Sequence, residues 1–211
     1  MNKIRFFAAA TALCFTTQGF AADLIVMSDD APDTSALNSQ IYVQLLGGVA
    51  LPHDVTFYLG TDVDAVDPTV PGYAVAGTLG VVVYDWLSVE ADVLHTFRDE
   101  EADGGDTYAT TSLMANLKYT AHLNDMFSVY GAVGVGHIWL SNFDGPPVSE
   151  TFELSGWGYQ LIAGVGAQVT ENVSVVGEYR YQDTFNPYEI GGDANMTVPT
   201  SSVLAGVKFG F

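Results

Sequence analysis

Leu87-Ser88-Val89-Glu90-Ala91-Asp92-Val93-Leu94-His95-Thr96-Phe97-Arg98 alternates between apolar and polar side chains along most of its length. Leu87, Val89, Ala91, Val93 and Phe97 share one face, and Ser88, Glu90, Asp92, Thr96 and Arg98 share the other. A period of two marks a β-strand whose faces meet different surroundings. The pattern recurs as Val173, Val175, Gly177, Tyr179 and Tyr181 against Ser174, Val176, Glu178, Arg180 and Gln182. It recurs again as Val203, Ala205, Val207, Phe209 and Phe211 against Ser202, Leu204, Gly206, Lys208 and Gly210, and as Leu113, Ala115, Leu117 and Tyr119 against Ser112, Met114, Asn116 and Lys118.

Extended along the chain, this periodicity predicts eight strands, at 39–51, 72–84, 87–98, 107–121, 126–140, 154–170, 173–184 and 200–211. Three connections are short: Asp85-Trp86, His122 to Asp125, and Glu171-Asn172. Four are long: Pro52 to Pro71, Asp99 to Asp106, Ser141 to Glu153, and Phe185 to Pro199. Such alternation places every tight turn at one end of an all-β, eight-stranded antiparallel up-and-down barrel. An internal repeat sets the register, since Trp86-Leu87-Ser88-Val89, Met126-Phe127-Ser128-Val129 and Asn172-Val173-Ser174-Val175 each follow a short turn.

The four cations beyond residue 22, Arg98, Lys118, Arg180 and Lys208, all fall on the polar face. A Lys or Arg facing hydrocarbon at mid-depth costs roughly 2–4 kcal/mol, so in a membrane that face must point inward. A soluble barrel would show the same parity with its sides reversed, and residue size separates the two. Gly48, Gly80, Gly134, Gly136, Gly164, Gly166 and Gly210 lie on the polar face, while Trp139, Trp157, Tyr159 and Phe209 lie on the apolar one. An eight-stranded barrel has an interior just wide enough to be filled by side chains, so small residues inside and bulky ones outside select a transmembrane barrel. Trp139, Trp157, Tyr159, Tyr179 and Tyr181 then form an aromatic girdle at the rim of the long connections, with Trp86 and Phe127 at the rim of the short turns.

Charge and leader sequence define the address. Six Lys and Arg face 25 Asp and Glu, a formal charge of −19, which repels nucleic-acid phosphates and excludes that partner. Lys3 and Arg5 precede an apolar run from Ile4 to Phe15, and Gly19-Phe20-Ala21 supplies small residues at a cleavage site. Residues 1–21 are therefore expected to be a secretory signal peptide, removed after Ala21. Cys14, the single cysteine, lies within it, so the mature chain would hold no disulfide and four cations against 25 acids, a charge of −21.

Gly158 to Tyr181, with Ala163-Gly164-Val165-Gly166 and Gly177-Glu178-Tyr179-Arg180-Tyr181, resembles the small eight-stranded outer-membrane barrels of the opacity-protein and porin-like family, which share the architecture of the OmpA transmembrane domain. Ser112-Leu113-Met114-Ala115-Asn116-Leu117 and Tyr130-Gly131-Ala132-Val133-Gly134-Val135-Gly136 are similar to it as well. The resemblance implies a bacterial outer-membrane location, with residues 22–38 a flexible periplasmic segment and 39–211 the barrel. It also implies that Lys208-Phe209-Gly210-Phe211 is the terminal strand, whose Phe209 and Phe211 serve as the assembly signal read by the barrel assembly machinery.

Inside the barrel, Glu90, Asp92, Arg98, Lys118, Glu178, Arg180 and Lys208 are expected to form a charge network. Glu90 and Lys118 lie on adjacent strands near the short turns, and Glu178 and Arg180 lie on the neighbour of Lys208, so pairing across strands would plug the lumen. A narrow pore lined by these charges is the alternative. The long connections hold fourteen acids and no Lys or Arg. Among them, Asp99, Glu100, Glu101, Asp103 and Asp106 are candidates to bind a divalent cation bridging to lipopolysaccharide phosphates. Outer-membrane lipid and lipopolysaccharide are the expected partners, beside an unidentified surface partner, and no cofactor, metal centre or catalytic site is expected. His137 and Ser141-Asn142 resemble elements of a lipid A deacylase, but that family places its serine two residues after the histidine, and here the gap is four.

Overall fold

The computed structural model describes residues 41–51, 53–59, 62–66, 70–99, 107–143, 152–191 and 194–211. The expected signal peptide (1–21) and periplasmic segment (22–38) lie outside the described residues, as do Glu100, Glu101, Asp103 and Asp106 and the side chain of Asp99.

The described residues form twelve strands: β1 (Ile41–Leu51), β2 (Val55–Leu59), β3 (Asp62–Val66), β4 (Gly72–Tyr84), β5 (Leu87–Asp99), β6 (Thr107–His122), β7 (Phe127–Phe143), β8 (Phe152–Thr170), β9 (Val173–Thr184), β10 (Tyr188–Gly191), β11 (Ala194–Thr197) and β12 (Thr200–Gly210). Eight of them close a barrel in the order β1-β12-β9-β8-β7-β6-β5-β4. The seam is the antiparallel β1–β12 pair, in register from Tyr42 opposite Gly210 to Leu51 opposite Ser201. Closure leaves no edge in the wall, as a spanning sheet requires when lipid offers no hydrogen bonds. The eight wall strands coincide with the eight expected from periodicity, although β7 and β8 run further toward the long connection between them, to Phe143 and from Phe152, and β6 runs one residue further into its short turn, to His122.

The side-chain distribution is inside out. Leu45, Leu79, Val93, Leu113, Leu117, Val133, Leu161 and Val203 are exposed on the outer wall, whereas Gln44, Thr78, Glu90, Asp92, Arg98, Asn116, Lys118, Gln160, Glu178 and Arg180 are buried inside. Glycines make room for the interior. A Cβ at Gly80 would strike the ring of Tyr42, and one at Gly164 the ring of Tyr130. Each of these tyrosines is the register partner of its glycine on the adjacent strand.

Two of the long connections, expected to be loops, instead contain hairpins. β2–β3 and β10–β11 join through an antiparallel β11–β2 pairing into a four-stranded sheet ordered β10-β11-β2-β3. These strands are four or five residues long, too short for periodicity to register, and their stability comes from pairing between connections more than a hundred residues apart in sequence. Tyr188, Met196 and Val198 of this region pack on Leu140, an inward residue of β7, with Leu154 alongside.

Candidate functional site

The lumen is where chemistry concentrates. β5 and β9 stand four places apart in a ring of eight, and so do β1 and β7, so each pair faces across the barrel. Arg180 on β9 reaches over to Asp92 on β5, its Nη1 donating to both carboxylate oxygens at 2.8 Å. Arg180 Nε also donates to Glu178 Oε2 at 2.7 Å on its own strand. Glu178 Oε1 accepts from Gln44 Nε2 at 2.5 Å and from the Tyr130 hydroxyl at 2.9 Å. Asp92 accepts from Thr78 Oγ1 at 2.7 Å. Gln160 continues the chain, donating to Asn116 Oδ1 at 3.0 Å and accepting from Gln182, which also donates to Ser112 Oγ at 2.8 Å.

One layer nearer the short turns, Lys118 Nζ pairs with Glu90 Oε1 at 2.8 Å, and the Tyr42 hydroxyl donates to the same oxygen at 2.5 Å. The ammonium lies 5.2 Å from the Tyr42 ring centre and 4.2 Å from that of Tyr130, on opposite walls. A cation between two aromatic faces is attracted to both.

The two halves repeat with a constant offset. Tyr42 and Glu90 correspond to Tyr130 and Glu178, and both hydroxyl-to-carboxylate bonds span 48 residues. Asp92 and Arg180 occupy the equivalent next inward positions, with opposite charges, and join across the barrel.

Lys208 departs from the expected arrangement. Its register partners are Ser174 on β9 and Gln44 on β1, while Glu178 stands opposite Leu204, two rungs away along the inner face. Among the described residues it makes no ion pair, and its ammonium lies 4.7 Å from the Tyr42 ring centre. It lines a cavity of about 450 Å³ that opens between the short turns, with Tyr42, Ser88, Thr120, His122 and Ser174. Arg98 sits at the opposite end, 1% exposed, donating to Leu51 O at 3.3 Å and Thr200 Oγ1 at 2.9 Å.

On the outer wall, Trp86, Phe127, Trp139, Trp157 and Tyr179 are exposed. Trp86 stacks on Tyr84 beside the short turn, and Tyr159 and Tyr181 meet at 6.2 Å near the other rim. Phe209 and Phe211 also face outward, and Phe211 N donates to Ile41 O at 2.9 Å, fixing the last residue to the barrel seam. His137 packs edge-on against Trp139 and Trp157, with ring centres 4.7 and 5.6 Å away. Ser141 lies four residues further along the same strand, about 13 Å at strand rise, so the two do not form a nucleophile–base contact. The acidic residues 99–106, apart from the backbone of Asp99, fall outside the described residues.

Above the barrel, His53 Nε2 and Ser201 Oγ are 2.7 Å apart. Burial, followed by the charge of Arg98, holds the His53 imidazole below its ordinary value, with Asp54 and Asp183 opposing. Burial and then Asp183 push the Tyr188 hydroxyl up.

An uninterrupted antiparallel ring with hydrocarbon-compatible side chains outside and ion pairs within defines an integral β-barrel of the bacterial outer membrane. The chain belongs to the outer membrane protein beta-barrel domain family, whose model matches residues 7–211. It is similar to the crystal structure of neisserial surface protein A, with 17% identity and a TM-score of 0.57 over 82% of this chain and 98% of that one. It is also similar to the outer membrane protein OprG from Pseudomonas aeruginosa, with 16% identity and a TM-score of 0.55 over 82% and 97%. At these identities the likeness is one of fold. No curated protein matches the chain in sequence.

Proposed function

We propose that the barrel is closed to solutes and acts as a structural and surface-interacting protein through its acidic extracellular connections, in contact with outer-membrane lipid and lipopolysaccharide. The observation that carries this reading is the Arg180–Asp92 pair, which crosses the full width of the lumen between side chains that are each 1% exposed. Gln44, Tyr130, Gln160 and Gln182 fill the same level from other walls. A buried pair with every carboxylate hydrogen-bonded resists disruption, since separating its members leaves bare charges in low dielectric.

A narrow ion path is the second reading, favoured by the cavity between the short turns, which extends to Lys208. Single-channel recording in planar bilayers separates the two. The closed reading expects no stable conductance from the purified protein and its appearance in Arg180→Ala; a steady, large conductance from the wild type would overturn it.

A further inference from the structure

Lys208 belongs to a shelf of polar side chains on one wall of the cavity between the short turns. Its register partner on β9 is Ser174, and Ser174 in turn lies opposite Gln168 on β8. The three stand side by side, at one height, on consecutive strands of the ring. On the other flank of Lys208 the wall turns apolar: its ammonium lies 4.7 Å from the centre of the Tyr42 ring on β1, and Val82 follows on β4. All five residues line the same cavity of about 450 Å³, a volume within the range of small-molecule sites.

Within the wall and the short turns, no carboxylate reaches this ammonium. Glu90, one level further in, already accepts from Lys118 and from the Tyr42 hydroxyl. Asp85, Asp125 and Glu171, the acids of the short turns, are all described and all exposed, and none lies within ion-pair distance of Lys208. Gln168 Nε2 donates to Glu171 O at 3.3 Å and keeps a second N–H, because an amide nitrogen carries two.

We propose that this cavity, which faces the periplasm as the short-turn end of such a barrel does, binds a short-chain monocarboxylate. The carboxylate sits on Lys208 Nζ, with Ser174 Oγ and Gln168 Nε2 as flanking donors, and the hydrocarbon tail lies along Tyr42 and Val82. One ammonium matches one negative charge. A second charge on the ligand would approach Asp85 and Glu171 on the cavity's rim, where like charges repel. Binding here requires no passage through the lumen, so it stands apart from the question of conductance.

The test titrates sodium butyrate into the protein in detergent micelles and follows backbone amide shifts by NMR, with sodium chloride at equal ionic strength as reference. Saturable shifts at Gln168, Ser174 and Lys208 are expected, half-complete at about 1 mM, as one charge-assisted and two neutral hydrogen bonds allow. They should vanish in Lys208→Met and weaken about fivefold in Ser174→Ala. Neutralising the rim with Asp85→Asn and Glu171→Gln should tighten binding about twofold, and succinate should bind at least about threefold more weakly than butyrate. Equal shifts in sodium chloride, shifts that persist in Lys208→Met, or shifts of the same size at outward Val203, which report butyrate in the micelle, would each overturn the site. Succinate binding as tightly as butyrate would overturn the assignment to a monoanion. Should Lys208→Met fail to fold, judged by loss of the heat-modifiable gel shift, the Ser174→Ala and rim variants decide: butyrate affinity unchanged in both would sink the proposal.

Discussion

Replacing Arg180 by methionine removes the one guanidinium that serves two carboxylates. Arg180 is 1% exposed, with Asp92 at 2.8 Å and Glu178 at 2.7 Å. Breaking a buried pair by removing one partner costs about 3–5 kcal/mol, mostly for the charge left behind. Glu178 would keep Gln44 and Tyr130 as donors, and Asp92 would keep Thr78 and Gln160, so the loss should fall within that range and not double it. Equilibrium unfolding in urea, followed by tryptophan fluorescence in a fixed detergent or lipid, measures it. The half-to-half repeat sharpens the test. Because positions 92 and 180 are equivalent and joined across the barrel, the exchange Asp92→Arg with Arg180→Asp keeps one charge of each sign in the same two places. The double variant should be more stable than the sum of its single variants by about 2 kcal/mol or more. An Arg180→Met loss below about 1 kcal/mol, or a coupling near zero, would mean that the pair is solvated and does not organise the lumen.

The glycine positions separate inside from outside: Gly80→Val and Gly164→Val should each cost about 1–3 kcal/mol by overpacking against Tyr42 and Tyr130. Gly47→Ala, where a Cβ meets nothing within 4 Å, should stay within about 0.5 kcal/mol in the same unfolding assay. For His53, whose folded value lies below the ordinary 6.5, the stabilisation is present above that pH and is lost as pH falls through the folded value. Amide protection factors in β2 and β11, taken relative to the intrinsic exchange rate at each pH, should therefore fall on acidification below about 6.5, and His53→Gln should flatten that dependence. Truncation of Tyr188 to Ala should cost about 3 kcal/mol in the packing of the extracellular sheet, read as faster proteolysis of residues 185–199 with the barrel's heat-modifiable gel shift retained.

The wall of the barrel was legible because two solvents impose a strict parity. Hydrocarbon permits only residues such as Val89, Leu113 and Val203 on one side, and a crowded interior demands glycine opposite Tyr42 and Tyr130. The Lys118–Glu90 contact could be inferred because both lie on neighbouring strands at a similar height. Arg180–Asp92 could not, since it joins strands that are not paired through their backbones, and only closure of the ring brings them face to face. Reading Lys208 as a partner of Glu178 failed for a related reason: the β9–β12 register offsets them by two rungs, and register is fixed by the seam and not by local composition. The β11–β2 pairing was equally hidden, because four-residue strands stabilised by a distant hairpin leave no periodic trace.

The signal that does exist for the cross-lumen pair is the internal repeat. Trp86-Leu87-Ser88-Val89 and Asn172-Val173-Ser174-Val175 open β5 and β9 alike, and once a ring of eight is granted, two such strands separated by three others must face one another. Residues at matching heights on their inner faces are then obliged to coexist in a narrow space. Glu90 and Glu178 carry the same charge and require separate donors, which Tyr42 with Lys118 and Tyr130 with Arg180 supply. One step further along, identical charges would meet head-on, and there the repeat breaks, to Asp92 on one wall and Arg180 on the other. The departure from repetition falls where electrostatics forbids repetition, which explains why the charge pair occupies this level and no other on those two strands.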